Sequence, residues 1–418
     1  MLSPGRGCGC NAIARAVFNL PEGPGIGTVR AEGTWLTAGR GMKAAMTDGR
    51  RLRIGFVGVQ PGRSWAAVAH IPALRALEHE FEIAAVANTT RASAEAAARD
   101  CGIPRAFASV DEMVASDAVD MVAVTVKVPY HFDIVSKAIA AGKHVLCEWP
   151  LGNGLAEAEA LAKQARERGV LAVIGTQAVA APEIARVRQI IAEGRIGAVR
   201  STSITAYGGG VASDEIAQVY AYMLDRRNGA NMLTIPVGHA LAALRSVLGD
   251  FATVSAILAT RQTSVRIAET GETMTRDAPD EVLLQGRLDS SALISLHYRP
   301  GPSRANGFVW EISGTEGAIT VTGEMGNLQM TGLAVTLLRD GGTPERIEPL
   351  MPAGLTLPEH PIPRNVGCLY AMIAADLQHG TRTAPDFDDA VRTHRVIAAM
   401  ERASDEGRQV PVGQAGST

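Results

Sequence analysis

The first convincing strand and helix of this chain meet in the stretch Gly55-Phe56-Val57-Gly58-Val59-Gln60-Pro61-Gly62-Arg63-Ser64-Trp65-Ala66. The strand is the apolar run Leu52–Val57, and the helix is the Ala-rich stretch Trp65–Leu77. A glycine-containing turn between a buried strand and a helix brings backbone N–H groups and the positive helix end together, which suits a pyrophosphate. The G-x-G-x-x-G fingerprint is not intact, because Gln60 stands at its second glycine and the loop is long. The stretch predicts a variant dinucleotide-binding loop.

Strands and helices continue to alternate from this loop to about residue 175. Apolar runs predict further strands at Phe81–Ala87, Ala106–Phe107, Val119–Val126, His144–Cys147 and Leu171–Gly175. Helices are predicted between them at Ala92–Cys101, Val110–Ala115, Tyr130–Ala141 and Leu155–Arg168. Strands that are apolar throughout and alternate with helices indicate a parallel sheet covered on both faces. Residues 50–175 are therefore predicted to form an α/β Rossmann domain with a doubly wound parallel sheet, whose ligand crevice lies at the carboxyl ends of the strands.

The periodicity changes after residue 175, where consecutive strands with short connections replace the alternation. Helices are expected at Pro182–Glu193 and Gly238–Leu248, then strands at Val254–Ala259, Glu281–Leu288, Ala292–Tyr298, Phe308–Ser313, Ala318–Thr322 and Ala334–Leu338. This pattern predicts an α+β domain with an open antiparallel sheet over residues 176–365, of which 340–364 form a loop. Helices at Val366–His379 and Phe387–Glu406 complete the chain in residues 366–418.

Residues 1–49 differ from the rest, since they are rich in glycine and lack a clean period. Their one apolar stretch, Ala12–Leu20, is too short and too polar for the apolar part of a secretory signal. We expect this leader to be disordered or to be an over-extended gene start.

Composition places the chain among ordinary globular proteins, with 46% hydrophobic residues, 20% charged residues and a net charge of −3. This balance favours neither nucleic acid nor a membrane surface as a partner, and no apolar run in the sequence has the length of a spanning helix. Five scattered cysteines favour reduced thiols in a cytoplasmic protein. The histidines and cysteines lack metal-ligand spacing, so no metal site is expected.

The second predicted strand ends in Ala87-Asn88-Thr89-Thr90-Arg91. An NAD-selective site usually has a carboxylate here that holds the ribose hydroxyls. Asn88 can hydrogen-bond those hydroxyls without repelling a 2′-phosphate, and the residues from Thr89 to Arg91 could bind one. The cofactor is expected to be NAD or NADP, with a lean toward NADP or toward use of both; alternatively, Arg91 is only a solvated residue at a helix start.

Several motifs together resemble the Gfo/Idh/MocA oxidoreductases. They are Gly58, His70-Ile71-Pro72-Ala73-Leu74, Val126-Lys127-Val128-Pro129-Tyr130-His131, Glu148-Trp149-Pro150, Gly229, Gly238-His239 and Glu311-Ile312-Ser313-Gly314-Thr315-Glu316-Gly317. The resemblance covers about residues 51–412. It implies a Rossmann domain plus an open antiparallel sheet, C-terminal helices packed near the first domain, and NAD(P)-dependent chemistry on sugars, inositols and related polyols.

Three departures from that family's pattern concern its chemistry. The family's general acid/base Lys falls on Trp149, its Asp four residues before the His falls on Ile235, and its usual Thr-Pro reads Val126-Lys127. The variant pattern is most similar to the branch that contains the yeast galactose-regulon repressor, which binds a dinucleotide on this fold and regulates transcription without known catalysis.

The resemblance and the residue chemistry together assign candidate roles. His239 matches the family's His and is expected to be a neutral ring that can accept a proton near pH 7. Lys127 either acts in catalysis through a lowered pKa or holds a ribose or phosphate oxygen, while Glu148 orients the nicotinamide side. Trp149 either stacks on a sugar or nicotinamide ring or only packs. The expected cofactor-binding residues are Gly58, Val59, Gln60, Gly62, Trp65, Asn88, Thr89, Arg91, Val126, Lys127, Glu148 and Trp149; the expected substrate residues are Trp149, Gln177, Tyr207, Asp225 and His239; the expected catalytic residues are His239, Lys127 and Glu148.

These residues leave three functions open. The first is an NAD(P)-dependent oxidoreductase acting on a sugar or polyol derivative. The second is an enzyme that cleaves glycosidic bonds through transient oxidation by the same cofactor, and the third is a non-catalytic dinucleotide-binding regulator. By analogy with the family, we also expect a homo-oligomer, either a dimer or a tetramer.

Overall fold

The computed structural model describes residues 50–301 and 307–413. Residues 1–49, which we expected to be a disordered leader or an over-extended gene start, lie outside these ranges. The thiols of Cys8 and Cys10 belong to that segment. Cys101, Cys147 and Cys368 are free thiols.

The first half of the chain forms a sheet of six parallel strands in the order β3-β2-β1-β4-β5-β6. Its strands are β1 (Leu52–Val57), β2 (Phe81–Ala87), β3 (Arg105–Phe107), β4 (Met121–Val124), β5 (His144–Glu148) and β6 (Ala172–Gly175). This order is that of a doubly wound sheet, in which the strand sequence reverses at β1 and β4 and opens a crevice at their carboxyl ends. The predicted Rossmann fold is confirmed.

Helices cover both faces of this sheet. They are α1 (Ile71–Arg75), α2 (Arg91–Cys101), α3 (Val110–Ala115), α4 (His131–Ala140) and α5 (Leu155–Arg168), followed by α6 (Gln177–Ala180) and α7 (Pro182–Ala192). The single helix expected over Trp65–Leu77 is instead a π-helical turn, Ala66–His70, that continues into α1. Such wide turns occur often at functional sites, and this one positions His70.

The second half is built on a nine-stranded sheet in the order β17-β16-β15-β14-β7-β13-β12-β9-β18. The strands of this half are β7 (Val199–Tyr207), β8 (Glu215–Ile216), β9 (Phe251–Ala259), β10 (Ser264–Ile267), β11 (Thr273–Thr275), β12 (Glu281–Leu288), β13 (Leu293–Arg299), β14 (Phe308–Gly314), β15 (Gly317–Gly323), β16 (Leu333–Arg339), β17 (Glu345–Ile347) and β18 (Val410–Pro411). Strands β8, β10 and β11 form a separate small sheet.

The large sheet is mixed rather than purely antiparallel, because β7 pairs in parallel with β13. Sequence analysis missed β7, whose outward residues are mostly Ser and Thr. Its inward residues Thr202, Ile204 and Ala206 are buried and alternate with them, and this alternation was the available indication of a strand. Parallel pairing is possible because a long crossover, which includes the helix α8 (Gly238–Leu248), separates β7 from β13.

Two long C-terminal helices pack back onto the first domain. They are α9 (Pro361–His379) and α10 (Phe387–Glu406). α9 begins five residues before the expected start, and β17 lies within the segment expected to be a loop. α9 contacts α1 and the π turn, whereas α10 lies between α5 and β9. Both halves of the molecule therefore share buried surface with this C-terminal pair.

No helix in the described ranges is both long enough and apolar enough to cross a lipid bilayer.

Candidate functional site

The loop after β1 has the geometry of a tight turn. Gly58 has a φ of +92°, and a Cβ at this position would lie 2.5 Å from Cγ1 of Val126 at the end of β4. Gly62 also has a positive φ, of +68°. Both conformations favour glycine, and at Gly58 the missing Cβ also lets the loop lie close to the residues that follow β4. The hydroxyl of Ser64 accepts a hydrogen bond from the N–H of Gln60 and closes the loop.

The residues of this loop fit a dinucleotide pyrophosphate. Gln60, Pro61, Gly62 and Arg63 are exposed over the crevice edge. The indole N–H of Trp65 is buried without an acceptor among the described residues. A buried donor beside a glycine turn is a group that a bound phosphate or ribose oxygen can satisfy.

Asn88 has hydrogen-bond partners within the chain. Its Nδ2 donates to the carbonyls of Val59 and Ser93, and its Oδ1 accepts from the N–H of Val59. Because both N–H bonds of the amide are used, Asn88 can only accept a hydrogen bond from a ribose hydroxyl and cannot donate one. Asn88 and Val59 therefore mainly tie the end of β2 to the glycine loop.

The residues that follow Asn88 form a helix start. The Thr90 hydroxyl accepts from the Ser93 N–H in a capping box at the start of α2. Thr89 and Arg91 are exposed beside it, and Arg91 pairs with Glu112 at 3.2 Å. An exposed pair of this kind is weak, so the Arg91 guanidinium is available to a 2′-phosphate.

Glu148, the last residue of β5, is held by a chain of polar side chains. Its Oε1 lies 3.0 Å from Nε2 of His70, and the Nδ1 of His70 lies 2.9 Å from the hydroxyl of Tyr370 on α9. Nε2 of Gln177 donates to both carboxylate oxygens at 2.8 Å. Gln177 was expected to contact substrate, but its side chain is 1% exposed and serves Glu148 instead. Four elements of the fold thus fix one carboxylate at the edge of the crevice.

Trp149 packs and does not present a free ring. It is 4% exposed, its indole N–H donates to the carbonyl of Thr234 at 2.6 Å, and its ring lies against that of His394 with centroids 4.6 Å apart. A Cβ on Gly238 would lie 2.5 Å from Nε1 of Trp149. Of the two alternatives left open by the sequence, ring stacking or packing only, this arrangement favours packing, because the protein itself covers the indole.

His239 lies one residue into α8, directly after the π-helical turn Leu233–Val237. It is 4% exposed, and its Nδ1 has no hydrogen-bond partner among the described residues. Burial lowers the pKa of His239 to about 3. A ring with this pKa is neutral at pH 7 and is a weaker base than an ordinary histidine, which argues against proton acceptance near pH 7.

Three other predicted site residues, Lys127, Asp225 and Tyr207, contact side chains other than Glu148 and His239. The ammonium of Lys127 lies 4.4 Å from the centroid of the Tyr222 ring, and burial raises the pKa of Tyr222. Asp225 forms an exposed ion pair with Arg227, and Tyr207 lies beneath the guanidinium of Arg299. Asp225 and Tyr207 thus have partners within the chain. Nowhere in 50–301 and 307–413 do three His, Cys, Asp or Glu residues gather in a way that could hold a metal ion.

Sequence reasoning missed two members of the Glu148 chain. His70 belonged to a motif used for the family resemblance, but no role was assigned to it. Tyr370 comes from a helix more than 200 residues after Glu148, so no local pattern could reveal this contact.

Two family models match the chain, one in each half. The model described as "Oxidoreductase family, NAD-binding Rossmann fold" matches residues 52–176, and the model described as "Gal80p, C-terminal domain" matches residues 182–323.

Individual proteins match over nearly the whole described range. Dehydrogenase aclE of Aspergillus oryzae is 30% identical over 374 residues, which are 86% of this chain and 98% of that protein. The galactose/lactose metabolism regulatory protein GAL80 of Saccharomyces cerevisiae is 25% identical over 411 residues, covering 86% of this chain and 94% of that protein. The crystal structure of a super-repressor mutant of that regulator covers 87% of this chain and 98% of its own, with 23% identity and a TM-score of 0.79.

A levoglucosan dehydrogenase in complex with NADH and levoglucosan has the same fold, with 20% identity, a TM-score of 0.75, and coverage of 87% of this chain and all of that chain. The relatives thus include both dehydrogenases and a regulator.

Proposed function

Because the chain belongs to the Gfo/Idh/MocA oxidoreductases, an NAD-binding Rossmann family, we propose that it is an NAD(P)-dependent oxidoreductase of a sugar or polyol derivative. The observation that carries this proposal is the anchored carboxylate of Glu148. A charged group held by His70 and Gln177 at the crevice edge is a preorganised feature. Packing alone would not favour a carboxylate at this position, because burying it costs free energy unless hydrogen bonds compensate.

In this proposal the dinucleotide would lie along the carboxyl ends of β1, β2 and β4. The glycine turn with Gly58, Gly62 and Trp65 holds the pyrophosphate, Thr89 and Arg91 face the adenosine ribose, and Val126 and Lys127 lie along the rest of the crevice. When bound, the nicotinamide supplies or accepts the hydride. Glu148 orients the nicotinamide end of the site.

In this proposal, His239 and Lys127 act on the substrate. A neutral His239 accepts a hydrogen bond from the reacting hydroxyl and aligns it. Lys127 is an exposed cation at the end of β4, and it can carry a proton or bind a substrate oxygen. His239 and Lys127 do not occupy the positions of the lysine and aspartate of the family pattern. Those positions are Trp149, which is covered by protein, and Ile235, whose side chain has no polar atom.

One observation favours a second candidate, a non-catalytic dinucleotide-binding regulator. The position of the family's catalytic lysine is filled by a tryptophan whose N–H and ring are already engaged, and His239 is a weak base. A sensor needs a crevice that binds the dinucleotide, but it does not need the residue that usually carries the proton. The similarity to the GAL80 proteins points the same way.

The test begins with the purified full chain. NADH and NADPH are titrated by quenching of tryptophan fluorescence, and sugars, polyols and aryl glycosides are then screened with the oxidised cofactors. We expect binding of at least one cofactor and its stoichiometric reduction by a sugar or polyol. In the active assay, His239→Ala lowers kcat/KM by roughly 100-fold, the effect of losing a group that aligns the reacting hydroxyl.

His79→Ala is the matched control, because His79 is an exposed histidine in the turn between α1 and β2 and should leave kcat/KM unchanged. Tight cofactor binding without turnover of any substrate would support the regulator instead. Cleavage of an aryl glycoside without net cofactor reduction would support the glycoside-cleaving alternative, and failure to bind either cofactor would refute all three.

A further inference from the structure

A second cavity, of about 390 Å³, lies between α7, α8 and the start of α10. Its polar wall includes Thr176, Arg188, Arg245, Asp250, Asp389 and Arg392. The cavity adjoins the last turn of α8, whereas His239 begins that helix. Along α8 the cavity is lined by Ala242, Arg245 and Ser246, and neither His239 nor Glu148 is among its lining residues, so it is distinct from the candidate site around Glu148.

Arg188 has no counter-ion among the residues that the structure describes. Its Nε donates to the carbonyl of Ser246 at 3.1 Å, and its Nη2 donates to the carbonyl of Val179 at 3.1 Å and to the hydroxyl of Ser246 at 3.2 Å. All of these acceptors are neutral, and the structure shows no ion pair from Arg188 to any described carboxylate. Burial lowers the pKa of Arg188, so the site carries a desolvated positive charge that an anion would stabilise.

The rest of the wall does not neutralise this charge. Arg245 pairs with Asp250, its Nε lying 2.6 Å from Oδ1, and Arg392 pairs with Asp389. Three arginines and two aspartates line the cavity, so its wall carries one net positive charge.

A second, independent feature is the hydroxyl of Thr176. Thr176 lines the cavity and is 2% exposed, and its Oγ1 has no hydrogen-bond partner among the described residues. A buried hydroxyl without a partner is uncommon in a folded protein, and a ligand oxygen is the kind of group that would satisfy it. Arg188, whose hydrogen-bond acceptors are all neutral, and Thr176, whose hydroxyl has no partner among the described residues, therefore line the same polar space.

We propose that this cavity is a second ligand site, which binds a small metabolite through a phosphate or carboxylate group. Planar guanidinium groups and hydroxyls are the usual protein partners of such oxyanions. A volume of about 390 Å³ exceeds that of the anionic group alone and falls in the range of small-molecule sites. The site is next to the crevice in sequence, since Thr176 precedes Gln177, which binds Glu148.

The test uses thermal unfolding and calorimetric titration of the full chain with inorganic phosphate, at an ionic strength held constant with sodium chloride. We expect a saturable rise in Tm for the wild-type chain. Thr176→Val keeps the side-chain volume and removes only the unpartnered hydroxyl, so it should retain or raise the Tm without ligand and weaken phosphate binding at least fivefold. Arg188→Met should abolish the binding, and Arg188→Lys should restore part of it.

Arg63→Met is the control for phosphate bound at the glycine loop, because Arg63 is exposed in that loop. Loss of binding in Arg63→Met with no change in Thr176→Val would overturn the proposal, as would absence of binding to the wild-type chain. Citrate and a hexose 6-phosphate then distinguish a carboxylate from a phosphate ligand, with the unphosphorylated hexose as the neutral comparison. If Arg188→Met does not fold, Thr176→Val still tests whether phosphate binds in this cavity.

Discussion

A tryptophan stands where the family resemblance places a lysine, and a glycine makes room for it. The six-membered ring edge of Trp149 lies within 3 Å of the position that a Cβ on Gly238 would occupy. The pairs Glu148-Trp149 and Gly238-His239, which look like separate motifs in the sequence, thus form one packing unit. This unit lies at the start of α8, beside His239.

Gly238→Ala is expected to lower the free energy of unfolding by about 1–3 kcal/mol, because the added methyl group would overlap the indole of Trp149. The penalty should shrink in a Trp149→Phe background, since the phenyl ring lacks the atoms that the methyl group meets. Gly210→Ala is the control, because nothing lies within 4 Å of its added Cβ. Urea unfolding of the four variants measures these effects, and equal losses at Gly238 and Gly210 would contradict the explanation.

At the scale of elements, one carboxylate joins β1 to the start of β4. Asp120 precedes β4 and accepts hydrogen bonds from the backbone N–H and the guanidinium of Arg53 in β1, at 2.8–3.0 Å. Arg50 adds a further pair at 2.9 Å. Burial alone would raise the pKa of Asp120, but these hydrogen bonds outweigh it and lower the pKa to about 2. The contact thus braces the two strands that border the crevice.

The lowered pKa predicts a pH-dependent contribution to stability. Because the pKa of Asp120 is lower in the folded chain than in the unfolded chain, its contribution is complete above about pH 4 and is lost as the pH falls toward 2. Asp120→Asn should therefore cost about 2 kcal/mol at pH 7 and much less near pH 2.5. Urea unfolding at both pH values checks this, with the exposed Asp117→Asn as the control, and a difference that does not depend on pH would argue against the charge as the cause.

At the scale of the whole molecule, the C-terminal helix α9 reaches the crevice through two buried hydrogen bonds. Tyr370 binds His70, and His70 binds Glu148, so the C-terminal part of the chain sets the position of a carboxylate in the first domain. α9 also contributes apolar side chains, among them Leu369 and Ile373, to the core on one face of the parallel sheet. Packing and site geometry are thus coupled.

Tyr370→Phe should lower the free energy of unfolding by about 1–3 kcal/mol, because it leaves a buried nitrogen of His70 unsatisfied. It should also weaken NADH or NADPH binding severalfold, since Glu148 loses part of its support. Tyr298→Phe is the matched control: its buried hydroxyl donates to the carbonyl of Gly326 in the second sheet, so stability falls but cofactor affinity does not. Equal effects of both variants on cofactor affinity would show that Tyr370 acts through stability alone.

Much of the fold follows from local patterns in the chain. Apolar runs, helix periodicity and the glycine turn at Gly58 predict a doubly wound parallel sheet and the place of the crevice, because each reflects residues near one another in sequence. The strand β7 was missed because its outward face is made of Ser and Thr, and its parallel pairing depends on a partner some 90 residues away.

The chemistry of the site depended on contacts that no local pattern contains. Asn88, Trp149 and His239 were all recognised as site positions, but their partners and burial come from distant segments. The amide of Asn88 is hydrogen-bonded to Val59, and the indole N–H of Trp149 donates to the carbonyl of Thr234. Desolvation lowers the pKa of His239. Periodicity records which side of an element is buried, whereas a hydrogen-bond partner or a pKa depends on which distant groups fill the space beside a side chain.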